Sequence, residues 1–392
     1  MLTTSTPSPA GALRVCHVCA TTLDSHYFTN LGRGLHARGL TVSGVSLVEP
    51  EAPSWLRHVG GDYACLDARR KTAYPGAIVR LARWLRERHV DVVQTHLIDG
   101  GIVGIAAARL ARVPLVLLTR HHTSEIEMIG TRLHGWCDRL LTRSADRVVV
   151  LSQAVKTHMV GREGAPAGKI DVIYQGFDFE ALNATDEERR RVRAELGLGD
   201  AFVIGCVARF FRTKGHPYLL GAARELARDI PNLKVLLLGG GDRESIEAMV
   251  RSQGLEDRVI FAGYRHDVPA CMRAMDVVVH PSLTEAFCQT VVEALAAGAP
   301  LVATNVAAAP EVVTNGVHGL LVPRADAHAI AAAVLRLHRD PALARRMAAE
   351  GQRSVTERFT IDRMVTNQIA CYQQWLPAQT VRATDVHAGG RA

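Results

Sequence analysis

Glu285 and Glu293 stand with seven residues between them in HPSLTEAFCQTVVEALAAGAP, residues 280–300. The run from Cys288 or Gln289 onward has helix-forming composition and stops at Gly298-Ala299-Pro300. Glu285 then lies in the loop before a helix and Glu293 about one and a half turns inside it. A carboxylate at each place can accept hydrogen bonds from paired sugar hydroxyls, a ribose at one and a hexose at the other. Main-chain amides at 286–290 can meet phosphate. The alternative is a loop acid plus a solvent-facing helix acid. The otherwise apolar VVEALAAG around Glu293 speaks against that for Glu293, because an unpaired acid is costly to bury. Upstream, VARFFRTKGHPYLL (207–220) puts Arg209 at a strand end and Lys214-Gly215 at the opening of the next helix. Two cations and the amides of a helix N-terminus suit a diphosphate, with plain surface charge on the loop as the other reading.

These residues need elements to hold them. Short β-branched runs at 14–20, 41–48, 91–96, 114–119, 146–152 and 169–178 alternate with amphipathic stretches, and the alternation restarts at 201–209, 234–240, 257–263, 276–282 and 300–305. Strands alternating with helices of this length indicate βαβ units and a parallel sheet. The expected fold is therefore α/β, with two Rossmann-like doubly wound parallel-sheet domains facing across a cleft. Ligands of such sheets bind beyond the strand C-termini, where all the residues above fall. We divide the chain into a disordered leader (1–12), an N-terminal acceptor domain (13–182) and a C-terminal donor domain (183–358). A helix at 359–376 follows, with a crossing back to the N-terminal domain left open, and then a disordered tail (377–392).

Composition narrows the field. At 392 residues, 48% hydrophobic and 22% charged, the chain can bury two cores. Its net charge of +7 is nearly all arginine, since lysine occurs at five positions, and most arginines sit in helix-like segments beside acids. No basic block is interleaved with aromatics, so nucleic acid is not expected as a partner. Cys16 and Cys19 form a C-x-x-C, but they lie in a strand, where residues three apart point to opposite faces; no metal site is expected. With no apolar run near about 18–20 residues and no secretory leader, the expected location is cytoplasmic.

Taken in order, R-x4-K-G-H, G-G-G-D, V-x-F-x-G-Y, D-V-V-V-H-P-S, E-x7-E and P-E-V-V-x-N-G-V-x-G-L-L-V resemble the second domain of retaining nucleotide-sugar glycosyltransferases of family 4, which have the two-Rossmann-domain glycosyltransferase B (GT-B) architecture. The match is dense over about 200–323, and the N-terminal half agrees mainly in pattern. The resemblance implies that Arg209 and Lys214 hold the donor diphosphate, Glu293 the ribose hydroxyls, and Glu285 the donor sugar. It places Ala286, Phe287, Cys288, Gln289 and Thr290 where backbone amides approach sugar and phosphate, and Tyr264 and Arg265 near the nucleobase. In TRHHTSE (119–125), His122 is the better fit to the family's strand-end histidine, which faces the donor sugar. The implied donor is a UDP-sugar first and a GDP-sugar next, with an unidentified hydroxyl acceptor and neither metal nor other cofactor. A sugar-nucleotide epimerase, a phosphorylase and a non-catalytic nucleotide-sugar binder remain the other readings.

The sequence departs from the family in three places. The loop after the first strand, ATTLDSHYFTN (20–30), has no glycine, which makes Asp24, Ser25 and His26 candidates for acceptor contacts or for helix capping. Family E-G-F-G becomes Glu285-Ala286-Phe287-Cys288, and a Gly-Gly pair becomes Ala307-Ala308. A side chain at those places is expected to require negative φ. Finally, AIVRLARWLRERH (77–89) sets Arg80, Arg83 and Arg86 against Leu81, Trp84 and Leu85. Peripheral contact with the inner face of a membrane through this helix is one reading, and an ordinary helix packed on its sheet is the favoured one.

Overall fold

The computed structural model describes residues 12–21, 23, 25–123 and 131–377. Most of the expected leader and tail therefore lies outside the described residues. The chain forms two compact units. The first runs to Phe177 and takes up the chain again at Phe359; the second is built on Asp178–Arg358. The break thus falls at Phe177/Asp178, a few residues before the boundary drawn from sequence, and the C-terminal helix belongs to the first unit.

The first unit holds seven strands: β1 (Arg14–Cys19), β2 (Thr41–Ser46), β3 (Tyr63–Cys65), β4 (Val92–His96), β5 (Leu115–Arg120), β6 (Arg147–Val150) and β7 (Ile170–Val172). Their order is β3-β2-β1-β4-β5-β6-β7, every pair parallel. β4, β5 and β6 are buried at every position, and their apolar residues accordingly fall in consecutive runs (Val92–Val93, Leu115–Leu118, Val148–Val150) rather than alternating. The helix Ile361–Trp375 is tied on firmly. Phe177 N donates to the Phe359 carbonyl at 2.9 Å, Arg38 pairs with Asp362, and the fully buried Tyr372 donates its hydroxyl to Gln94.

The second unit holds β8 (Phe202–Val207), β9 (Leu233–Leu238), β10 (Val259–Gly263), β11 (Val277–His280), β12 (Leu301–Thr304) and β13 (Leu320–Val322). The order is β10-β9-β8-β11-β12-β13, again all parallel. Ile204, Leu220, Val235, Leu237, Val279, Val302 and Val334 lie in its core. In both sheets the strand order reverses beside the first strand, so the two are doubly wound and Rossmann-like. β3 and β13 were not expected; three-residue strands carry too short a pattern to read.

The helix Tyr74–Glu87 buries Ala77, Leu81, Ala82, Trp84 and Leu85, and turns Arg80, Arg83 and Arg86 outward. Its apolar stripe is spent on its own unit. Among the described residues, no helix is long and apolar enough to cross a membrane.

Candidate functional site

β8 and β11 are neighbours, so the loops leaving their C-terminal ends emerge side by side in the second unit. Glycine fixes how closely they approach. Gly215, at φ +70°, ends the single turn Arg212–Lys214 and opens the helix His216–Leu226. A Cβ there would stand 1.9 Å from the Pro281 carbonyl oxygen. Gly239, at φ +138°, similarly leaves room for the Ala208 carbonyl, which a Cβ would meet at 2.1 Å. Leu283 N donates to the Thr213 carbonyl at 2.7 Å, and Thr304 Oγ1 to the Ser282 carbonyl at 2.6 Å. One backbone and one side-chain hydrogen bond thus brace the loops.

This bracing brings Lys214 and Glu285 together. Lys214 Nζ lies 2.5 Å from Glu285 Oε1, and Ser282 Oγ donates to the same oxygen at 2.8 Å. His280 Nε2 stands 3.5 Å away, long for a hydrogen bond. Burial raises the Glu285 carboxyl, but His280, Lys214 and Ser282 outweigh it and hold it below the usual carboxylate range. Burial pushes His280 itself down to about 4, so near neutrality the Lys214 ammonium carries the charge pairing. An ammonium has three donors, and one spent on Glu285 leaves others for phosphate oxygens. Arg209, at the same sheet edge, is exposed, with its guanidinium 4.8 Å over the Phe211 ring.

The helix Gln289–Ala296 begins where composition placed it and carries Glu293 half-buried. Ala286, Phe287 and Cys288 are buried, Thr290 is half-buried and Gln289 is exposed. The backbone here corrects the expectation of negative φ. Cys288 is left-handed at φ +63° and Ala307 at φ +44°, while Ala308 alone of the three is ordinary at φ −78°. The Cys288 thiol accepts a hydrogen bond from the Ala308 backbone, and burial drives its pKa well above the usual thiol value, so it stays protonated. The two substituted loops therefore keep the glycine conformation without the glycine.

After β10, Tyr264 is 83% exposed, an open ring free to stack on a base. Arg265, expected beside it, is held by Glu195 at 2.5 and 3.0 Å and by Asp267 at 2.7 and 2.8 Å. Its charge is committed to these two carboxylates, which brace the loop. A separate cavity of about 710 Å³ opens at the opposite strand edge, beside Phe202, Asp276 and Pro300, away from all of these residues.

In the first unit, His122 follows β5 and its Nε2 lies 3.5 Å from Asp138 Oδ2. Asp138 in turn is 3.0 Å from the buried Arg120, which also pairs with Glu163 at 2.5 Å, and His158 lies 3.5 Å from Glu163. Burial raises the Asp138 carboxyl, but His122 and Arg120 outweigh it and keep it ionised. Sequence reasoning missed this network because its members are scattered over three elements. It also missed a chain of imidazoles at the strand ends, His17 and His96 buried and His121 half-buried: His17 Nδ1 is 3.1 Å from His96 Nε2, and His96 Nδ1 is 3.0 Å from His121 Nε2. Ser25 occupies the N-cap position of the helix His26–Ala37 without a side-chain cap bond, and His26 is exposed. Asp24 lies outside the described residues. Among the described residues, no group of three His, Cys, Asp or Glu side chains is arranged to hold a metal ion.

Residues 25–181 match the family described as Glycosyltransferase Family 4, and residues 188–354 match Glycosyl transferases group 1. The chain is 28% identical over 316 residues to a 2-deoxystreptamine glucosyltransferase of Streptomyces kanamyceticus, covering 76% of this chain and 81% of that one. It is 29% identical over 351 residues to a D-inositol 3-phosphate glycosyltransferase of Mycolicibacterium smegmatis, covering 83% and 79%. The crystal structure of Anabaena Alr3699/HepE in complex with UDP and glucose superposes with a TM-score of 0.80 at 23% identity, over 93% of this chain and all of that one.

Proposed function

The chain belongs to the GT-B glycosyltransferases, with a family 4 first half and a group 1 second half, and from that premise we propose that it transfers a sugar from a nucleoside-diphosphate sugar to a hydroxyl with the anomeric configuration kept. The observation that carries the donor half is the Lys214–Glu285 pair, a cation and an anion at the meeting of two glycine-tightened loops. A diphosphate is the ligand for the first and a sugar hydroxyl for the second. Uridine is the preferred base, because the superposing Anabaena protein was crystallised with UDP and glucose.

In this reading Arg209 and Lys214 stabilise the charge that grows on the departing diphosphate. A leaving-group oxygen on the same face takes the acceptor proton, so no enzyme nucleophile and no metal are required. Glu285 orients the donor sugar, Glu293 holds the ribose hydroxyls, and Tyr264 stacks on the base. The family resemblance assigns His122, backed by Asp138, to the donor sugar, and Ser25 and His26 are the candidates for acceptor contacts. The product belongs to glycoconjugate biosynthesis.

A screen of UDP-glucose, UDP-galactose, UDP-N-acetylglucosamine and GDP-mannose by thermal shift tests the donor, since a tight ligand stabilises the native state by mass action. A shift with one UDP-sugar, followed by UDP release and an axial product linkage by NMR, is the expected result. An epimerised nucleotide sugar formed without acceptor, or no shift with any donor, overturns the reading.

A further inference from the structure

The loop that leaves β8 carries two phenylalanines in a row, and they face opposite ways. Phe210 is buried, its ring edge-on to His216 at 5.2 Å and to Phe261 at 6.0 Å. Its backbone is clamped to the neighbouring loop: Phe210 N donates to the Gly240 carbonyl at 2.7 Å, and Asp242 N donates to the Phe210 carbonyl at 3.2 Å. Phe211 follows in extended backbone, φ −121° and ψ 150°, so its side chain leaves on the other face. It is 48% exposed and fills no core. Arg209, two residues from Phe211, shares that outward face, and its guanidinium lies 4.8 Å over the Phe211 ring.

What holds Arg209 differs from what holds other arginines of the second unit. Arg189 lies 3.1 Å from Asp276, Arg265 lies 2.5 Å from Glu195, and Arg273 lies 3.0 Å from Asp186. Each of those carboxylates fixes a guanidinium by taking N–H donors and offsetting its charge. Among the described residues the Arg209 guanidinium has neither an ion pair nor a hydrogen bond. An aromatic face attracts a cation through its ring quadrupole and accepts none of its five N–H groups in the plane of the fork. Lys214, on the same loop, is held the other way, with one donor spent on Glu285. The loop thus carries one cation steadied by an acid and one steadied by a ring.

We propose that Phe211 is a positioning residue for Arg209: its ring fixes the guanidinium at the donor edge of the sheet while leaving the charge and the donors of the fork for a diphosphate. The inference rests on the reading of Arg209 as a diphosphate ligand. It adds that the aromatic character of residue 211, and not its bulk, sets how well that cation is preorganised. It also explains why a large apolar side chain stands open to solvent beside a phosphate site.

The test is calorimetric titration of the full chain with UDP. Arg209→Ala should weaken binding by about tenfold or more, as for loss of a charged hydrogen-bond donor. Phe211→Leu, which keeps bulk and removes the ring, should weaken it about two- to fivefold with the thermal melt in place. Phe211→Tyr and Phe211→Trp, which keep an aromatic face, should stay within about twofold of wild type. In an Arg209→Ala background Phe211→Leu should have no further effect, because the ring acts only through the guanidinium. A leucine variant that binds like wild type while Arg209→Ala is weakened overturns the positioning role alone. So does a leucine loss that persists in the Arg209→Ala background, which would mean that the ring meets the ligand itself, or a loss that tyrosine and tryptophan fail to restore. Wild-type protein that does not bind UDP, or Arg209→Ala that binds it as well as wild type, removes the diphosphate reading and this proposal with it.

Discussion

The Lys214 ammonium and the Glu285 carboxylate stand 2.5 Å apart although seventy-one positions separate them in the chain, because the β8 and β11 loops that carry them leave adjacent strands. Each is the other's counter-charge. Lys214→Ala therefore both strips the diphosphate of a donor and leaves a buried acid unpaired. Turnover should fall by about 10²–10³, as for loss of one preorganised donor. Glu285→Gln should fall as well, and the double variant should be much less than the product of the two, since they act as a unit. Steady-state kinetics on the three variants measures this; near-wild-type turnover of Lys214→Ala contradicts the assignment.

Gly215 is predicted to be irreplaceable. Alanine there meets the Pro281 carbonyl at 1.9 Å and must also hold φ +70°. Gly215→Ala should cost about 1–3 kcal/mol in urea unfolding and abolish the thermal shift with donor. Gly240, in a neighbouring loop with nothing within 4 Å of its would-be Cβ, is the control. Gly240→Ala should stay within about 0.5 kcal/mol of wild type.

The paired alanines at 307 and 308 should respond to glycine with opposite signs. Ala307 sits at φ +44° and Ala308 at φ −78°. Ala307→Gly removes a left-handed penalty of about 1 kcal/mol and should raise stability or leave it unchanged. Ala308→Gly gains nothing in the native state, frees the unfolded chain, and should cost about 0.5–1 kcal/mol. Denaturation midpoints of the two variants decide it; equal destabilisation by both would refute the backbone assignment.

Acid should unfold this protein earlier than its carboxylates alone would. Burial pushes His17, His121, His216 and His280 down to about 4, and lowers His96 well below its ordinary value of 6.5. In the unfolded chain these imidazoles protonate near 6.5, so between there and about 4 the unfolded state binds more protons. Their contribution is complete above about pH 6.5 and is lost as pH falls toward 4. Glu285 and Asp138, held below the carboxylate range, add their loss further into acid. Urea midpoints should drop steadily from pH 7 to pH 5, and His17→Gln should flatten that slope. A midpoint unchanged over that interval rules the linkage out.

Much of this molecule was legible in one dimension. The doubly wound class followed from apolar runs spaced by amphipathic stretches, because burial on both faces of a parallel sheet forces such runs. β3 and β13 escaped because three residues carry no period. Lys214, Glu285 and Glu293 were readable as candidates because chemistry at a strand's C-terminal edge comes in short, ordered motifs. His280 and Ser282, two residues of the same H-P-S motif, gave no sign that they brace Glu285. The Arg120–Asp138–Glu163 network was invisible for the same reason, since its partners meet only through the sheet.

Sequence by itself thus determined which segments become strands and which charged residues stand at their ends, since both follow from local composition and order. Tertiary structure alone decided whom those residues face. It showed that Arg265 is committed to Glu195 and Asp267, that Cys288 and Ala307 hold left-handed backbones, and that of the adjacent Phe210 and Phe211 the first is buried and the second open beneath Arg209. The physical reason is that pairing, strain and exposure are properties of neighbours brought together by packing. Two adjacent residues of one type differ only in which surface the rest of the chain leaves uncovered.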